Sequence, residues 1–146
     1  MVWATSNEGS RENTGVFFTI KSATKMLPLL SRIVADMLRL DKSIRAQRNQ
    51  LRDIDRLEAT IDRKNYQEEL SDIRSSLEDD QREFAACLSE LATLGVSPHL
   101  PFDGSIDFPA ELNRRHVRLC WQPGDEKVEY WHEPGEQPAA RQRISS

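Results

Sequence analysis

Across residues 20–94 apolar side chains recur every three or four positions, which predicts long amphipathic helices. Leu30, Met37, Ile44 and Leu51 fill one heptad position while Ile33, Leu40, Gln47, Ile54 and Ile61 fill the other, a coiled-coil seam. A second seam runs through Leu70, Leu77, Phe84 and Leu91 with Ile73, Asp80, Cys87 and Leu94. The phase resets between Ile61 and Leu70, so the pattern predicts helices over about 20–59 and 66–94, joined by a turn at residues 60–65 into an antiparallel hairpin. Thr19 is the expected N-cap, with Phe17 or Phe18 stapling the first turn. Pro28 lacks a backbone donor and predicts a kink or restart while Leu29, Leu30 and Ile33 carry the stripe on.

Folding the chain back about Asp62 sets Ile54 against Leu70, Leu51 against Ile73, Leu40 against Phe84, Met37 against Cys87, Ile33 against Leu91 and Leu30 against Leu94. Gln47 and Asp80 fall in adjacent layers and form a polar notch that fixes register at some cost in stability. Basic residues outnumber acids on the first helix and acids dominate the second, which favours the pairing overall. The stripe widens near Pro28 and Phe84 to include Leu27, Val34, Leu38, Ala85 and Leu88, so the rest of the chain is expected to dock at the open end.

Gly95 ends the second helix, and Pro98, Pro101, Gly104 and Pro109 punctuate the stretch beyond it. Alternation predicts strands at 116–121 and 128–132, paired as Trp121 with Val128, Leu119 with Tyr130 and Val117 with His132. The other face then pairs Cys120 with Glu129, Arg118 with Trp131 and His116 with Glu133. Residues 105–108 add a short third strand ending at Pro109, as an edge strand would. Residues 134–146 read as an arm or a disordered tail, and the polar residues 1–16 as a disordered tail, leaving one domain over 17–133.

Composition narrows the function classes. Of the 146 residues 30% are charged and 38% hydrophobic, a lean core suited to long exposed helices. A net charge of -4 speaks against a protein devoted to gripping phosphate backbones. Cys87 and Cys120 lie too far apart in sequence for a disulfide framework or a CxxC-type ribbon, and no apolar run suggests a signal peptide or membrane span, so a cytoplasmic protein is expected.

Several phrases together carry a family likeness: Phe18-Thr19, Met26-Leu27-Pro28-Leu29-Leu30, Leu94-Gly95-Val96, Asp107-Phe108-Pro109, Val117-Arg118-Leu119-Cys120-Trp121 and Tyr130-Trp131-His132. With these the chain resembles an uncharacterised bacterial and archaeal family, domain of unknown function 2203, from about Phe17 to Arg141. The resemblance implies that Asp107 and the aromatic cluster belong to a shared design, and it brings no activity with it. Asn113-Arg114-Arg115 and Ala140-Arg141 stand where the family carries Gly-Arg pairs, and Gly124-Asp125 stands for its Gly-Glu.

The candidate binding face comprises Asp107, Arg118, Cys120, Trp121, Trp131, His132 and Arg141. A metal site from Asp107, Cys120, His132 and His116 is disfavoured: His116 and Cys120 sit ~13 Å apart on one strand, and the expected pairing points Cys120 and His132 to opposite faces. No metal or cofactor is therefore expected. A Cys120 nucleophile helped by Arg118, His116 or His132 is opposed by Glu129, expected across from it. Arg45, Arg48, Arg52 and Arg56 form a basic run broken by Asp53 and Asp55, more in keeping with a solvated helix face than with a nucleic-acid site.

The expected architecture is α+β and helix-dominated, a long antiparallel α-hairpin, coiled-coil-like, capped by a small antiparallel β-sheet. The expected function is a non-enzymatic interaction or scaffold protein, homodimeric, with a protein or small-molecule partner. Its rivals are a small metal- or Cys-dependent hydrolase using Asp107, Cys120 and His132, and weak nucleic-acid binding through the arginine run.

Overall fold

The computed structural model describes residues 17–56 and 63–145. Helices α1 (Ile20–Lys25), α2 (Leu27–Arg56) and α3 (Arg63–Thr93) precede strands β1 (Ser97–Pro98), β2 (Ile106–Leu112), β3 (Arg115–Trp121), β4 (Tyr130–His132) and β5 (Gln142–Arg143). The strands form one antiparallel sheet in the order β1-β2-β3-β4-β5. The fold is thus α+β, with two long helices packed together and a five-stranded sheet. The expected N-terminal tail lies outside the described residues, as do residues 60–62 of the expected inter-helix turn, while residues 63–65, also expected in the turn, already belong to α3.

The chain divides into two compact units, residues 33–90 and residues 17–32 with 91–145. The first is the antiparallel helical hairpin. Ile54, Tyr66 and Leu70 form a buried cluster with Leu51 and Ile73 against it, the layers expected from the heptads. The polar notch is there too: Gln47 Nε2 donates to Asp80 Oδ2 at 3.1 Å and to Ser76 Oγ at 2.8 Å, and Ser43 Oγ donates to Asp80 Oδ2 at 2.7 Å. The Cys87 thiol is pushed up, first by burial and then by the charges of Asp36 on α2 and of Glu90 and Glu83 on its own helix.

In the second unit Thr19 caps α1, its hydroxyl accepting from Ser22 N–H while the Ser22 hydroxyl accepts from Thr19 N–H, a reciprocal capping box. The break at Met26 lets Pro28 fall in the first turn of α2, where its missing donor has no helical partner to lose. The helix restarts there. Phe18 packs edge-on against Phe108 of β2, ring centroids 5.2 Å apart, which anchors the start of α1 on the sheet. At the end of α3, Val96 N–H bonds to Leu91 O and Gly95 N–H to Ala92 O, a Schellman turn that needs the left-handed φ of +81° at Gly95.

Three strand expectations require correction. Instead of a short edge strand ending at Pro109, β2 runs seven residues through it, between β1 and β3. The Pro109 carbonyl accepts from Phe18 N–H at 2.8 Å, and since a strand residue's N–H and C=O share one edge, the missing donor faces away from the β2–β3 ladder. Asn113 and Arg114, with φ of 51° and 64°, close the tight turn from β2 to β3.

The β3–β4 register is one residue away from the expected one: Arg118 faces His132, Leu119 faces Trp131 and Cys120 faces Tyr130. Cys120–Glu129, Arg118–Trp131 and His116–Glu133 are therefore not cross-strand pairs. Val128 is the cause. It leaves the ladder, is fully buried, and donates its N–H to Thr24 Oγ1 of α1 at 3.2 Å, so pairing begins only at Tyr130. Thirdly, the chain beyond 133 is built into the sheet: a 3₁₀ turn at Pro138–Ala140 leads into β5, which pairs with β4.

Candidate functional site

Residues facing each other across an antiparallel pair share a face, and neighbours along a strand alternate. The observed register therefore puts Asp107 (β2), Arg118 and Cys120 (β3), and Tyr130 and His132 (β4) on one face of the sheet. A one-residue slip reverses every side chain of a strand. The expectation that Cys120 and His132 point to opposite faces is thereby overturned, and with it the ground for disfavouring a metal site.

One ligand atom each from Asp107, Cys120 and His132 lies within 4.8 Å of the others. His132 Nδ1 is 2.9 Å from the Glu133 carbonyl oxygen, which can only accept, so Nδ1 carries the proton. Nε2 then faces Asp107 Oδ1 at 3.1 Å. A bare imidazole nitrogen and a carboxylate oxygen are both acceptors, so at that separation they need a proton shared between them or a metal ion. For a tetrahedral zinc site with bonds of about 2.0–2.3 Å, ligand atoms stand roughly 3.3–3.8 Å apart, so the trio needs to draw in by no more than about 1.5 Å to reach coordination spacing. Thiolate, imidazole and carboxylate suit a zinc-class ion, and the hydrogen bond from Nδ1 to a carbonyl is the outer-shell contact that fixes a ligating histidine.

The same geometry disfavours a thiol nucleophile. Nε2 addresses Asp107, so His132 is not placed as the base of a Cys–His pair. The Cys120 thiol is pushed up to about 12, chiefly by burial and then by the Asp107 charge, with Arg141 opposing. Cys120 and His132 are 0% and 1% exposed, while the Asp107 side chain keeps 15%.

Arg141 closes the site. Its guanidinium binds both oxygens of Asp125, at 2.6 and 3.3 Å, and lies 3.9 Å over the ring of Tyr130, the cross-strand partner of Cys120. Asp125 is held ready by the turn before it: its carboxylate accepts from Gln122 N–H, and its carbonyl accepts from Trp121 Nε1 at 2.9 Å.

Of the expected face, Asp107, Arg118, Cys120, His132 and Arg141 are thus gathered together. Trp121 and Trp131 are not, because the register places both on the opposite face; Trp121 is buried there, and Arg115 stacks on Trp131 at 5.7 Å while also binding Glu133. Sequence reasoning missed the roles of Asp125 and Tyr130; the Gly124-Asp125 departure from the family pattern, opposite a retained arginine near the end, was the available signal. His116 stands apart, 3.9 Å from Glu111. On α2, Arg45 pairs with Asp41 at 3.1 Å and Arg56 with Asp53 at 3.9 Å, as a solvated face would.

Among the described residues no helix is long and apolar enough to cross a membrane. No curated protein and no solved structure matches the chain. A family model described as an uncharacterized conserved protein, DUF2203, matches residues 16–144, and it covers the whole site. The chain belongs to that family.

Proposed function

We propose that this chain is a metal-binding protein in which Asp107, Cys120 and His132 hold one zinc-class divalent ion. The observation that carries the reading is the convergence of three different donors from three adjacent strands, with His132 fixed in the tautomer that leaves Nε2 bare. Charge supports it as well: a thiolate and a carboxylate balance a divalent ion, and Asp125 balances Arg141 next to it. The burial of Cys120 and His132 favours a centre that fastens or senses over one that hydrolyses a bulky substrate, which keeps the chain among binding modules rather than enzymes. A thiolate ligand of this kind works in a reducing compartment such as the cytosol.

The test is metal analysis of protein purified without an affinity tag and reconstituted with zinc or cobalt. One ion per chain is expected, with a near-ultraviolet thiolate-to-cobalt charge-transfer band that Cys120→Ser abolishes. Asp107→Ala and His132→Ala should each lower affinity at least ~100-fold, the scale of losing a ligand of a small site. A reconstituted wild type holding no stoichiometric metal sinks the reading.

A further inference from the structure

We infer that residues 133–143 form a latched strap over this metal centre, and that Arg141 must release Asp125 before a metal ion can enter or leave. The inference rests on the metal reading above and concerns how the site is opened.

Cys120 and His132 lie on the sheet face turned away from Phe108 and Phe18, yet both are fully buried. The strap meets that face at two points, the Glu133 carbonyl at His132 and the Arg141 guanidinium over Tyr130. It starts at the centre itself, since the Glu133 carbonyl fixes His132 Nδ1. It then turns through the bond from Glu136 N–H to Glu133 O and the 3₁₀ turn at Pro138–Ala140, burying Pro138. It returns beside β4, where Arg141 covers the Tyr130 ring and its charge acts on the Cys120 thiol.

Its contacts are of unequal strength. Arg115 of β3 binds the Glu133 carboxylate at the near end; at the far end β5 contributes two residue pairs, Arg143 reaches Glu129 at 2.9 Å and Tyr130 Oη at 3.2 Å, and Ile144 N–H donates to Glu129 O at 2.8 Å. Arg143 is largely exposed, its side chain retaining 69% of its surface, whereas Arg141 and Asp125 retain 16% each. The sheltered, two-pronged pair is therefore the latch, and the outer contacts guide the strap. A segment tied at one end to a ligand's own carbonyl, and at the other to one sheltered ion pair, one exposed ion pair and a two-residue edge strand, can swing open by shedding β5 while β2, β3 and β4 stay paired.

The experiment is a chelator challenge on zinc-loaded full-length protein, following release with a colorimetric chelator. Wild type is compared with Asp125→Asn, Arg141→Gln and their combination, and with Arg143→Gln as the exposed control. Each latch variant should release zinc about tenfold faster, the loss expected of a charge-assisted pair, the double variant no faster than the singles, and Arg143→Gln within about twofold of wild type. Latch variants that load one zinc and release it at the wild-type rate overturn the strap and leave the metal site standing. A wild type that loads no zinc removes both. Should Arg141→Gln fail to fold, Asp125→Asn decides alone, since it keeps the side chain's shape while removing its charge.

Discussion

In the hairpin, many layers vote on the register; in the β3–β4 pair, three residue pairs decide it. A heptad seam repeats the same demand turn after turn, so one misplaced layer is outvoted, and the notch of Gln47 and Asp80 adds a directional bond. The short β4 offers no such averaging. Its register is set by where Val128 is pulled out of the ladder towards Thr24, a contact between residues 104 apart in sequence. Local periodicity therefore specifies the hairpin, while a tertiary contact specifies the site.

The sharpest way to test this contrast is to damage each unit at its centre. Phe108 is fully buried and meets Phe18, whereas Ile54 retains 7% exposure in a small cluster with Tyr66 and Leu70. Phe108→Ala should cost about 3–5 kcal/mol and Ile54→Ala about 2 kcal/mol, the low end for a site with a solvated border. Trp121 and Trp131 in the sheet report the first by fluorescence, and helical circular dichroism reports the second. Equal costs seen identically by both probes would erase the distinction between a dense sheet core and a thin hairpin seam.

A smaller effect tests whether the notch holds the hairpin's register. Gln47 Oε1 is buried without a protein partner, while its amide nitrogen and Ser43 both serve Asp80. Gln47→Leu should cost about 1–3 kcal/mol by stripping a donor from Asp80, whereas Gln47→Leu with Asp80→Leu should recover most of that loss and loosen the choice of register. Denaturant unfolding measures the first part. A disulfide scan across α2 and α3 reads the second, and a double variant that cross-links only in the wild-type register would show that the apolar layers suffice.

The legibility of the site depends on the same contrast. The Thr19 cap, the restart at Pro28 and the stop at Gly95 are local chemistry and are readable directly. So are the ladder layers from Ile54 to Leu70. Asp107, Cys120, His132 and Arg141 all stand out as residues, yet their convergence is hidden, because alternation in 128–132 fits either register and nothing nearby reveals that Val128 belongs to α1. Asp125 reads as a turn residue. Its carboxylate is aimed by Gln122 N–H, but only the returning strap supplies the arginine it grips.

The mildest perturbation of the sheet unit is acid. Burial alone would raise the Asp125 pKa, but hydrogen bonds from Arg141 and Gln122 N–H, with the guanidinium charge, outweigh it and hold the carboxyl below its ordinary range. A carboxyl depressed in the folded state contributes stability that is complete above its unfolded pKa and is lost as pH falls through the folded one. The latch is therefore intact at neutral pH and weakens only below the usual carboxylate range, by no more than about 1 kcal/mol for a pair still touched by solvent. Hydrogen exchange at the Ile144 amide, which bonds to Glu129 O just beyond the latch, should quicken on acidification relative to amides in the middle of α3. Asp125→Asn should remove that pH dependence, leaving the strap equally loose at both ends of the range. If the pH dependence survives the substitution, the latch is not what Asp125 controls, and the sheet's edge is as firmly specified as the hairpin.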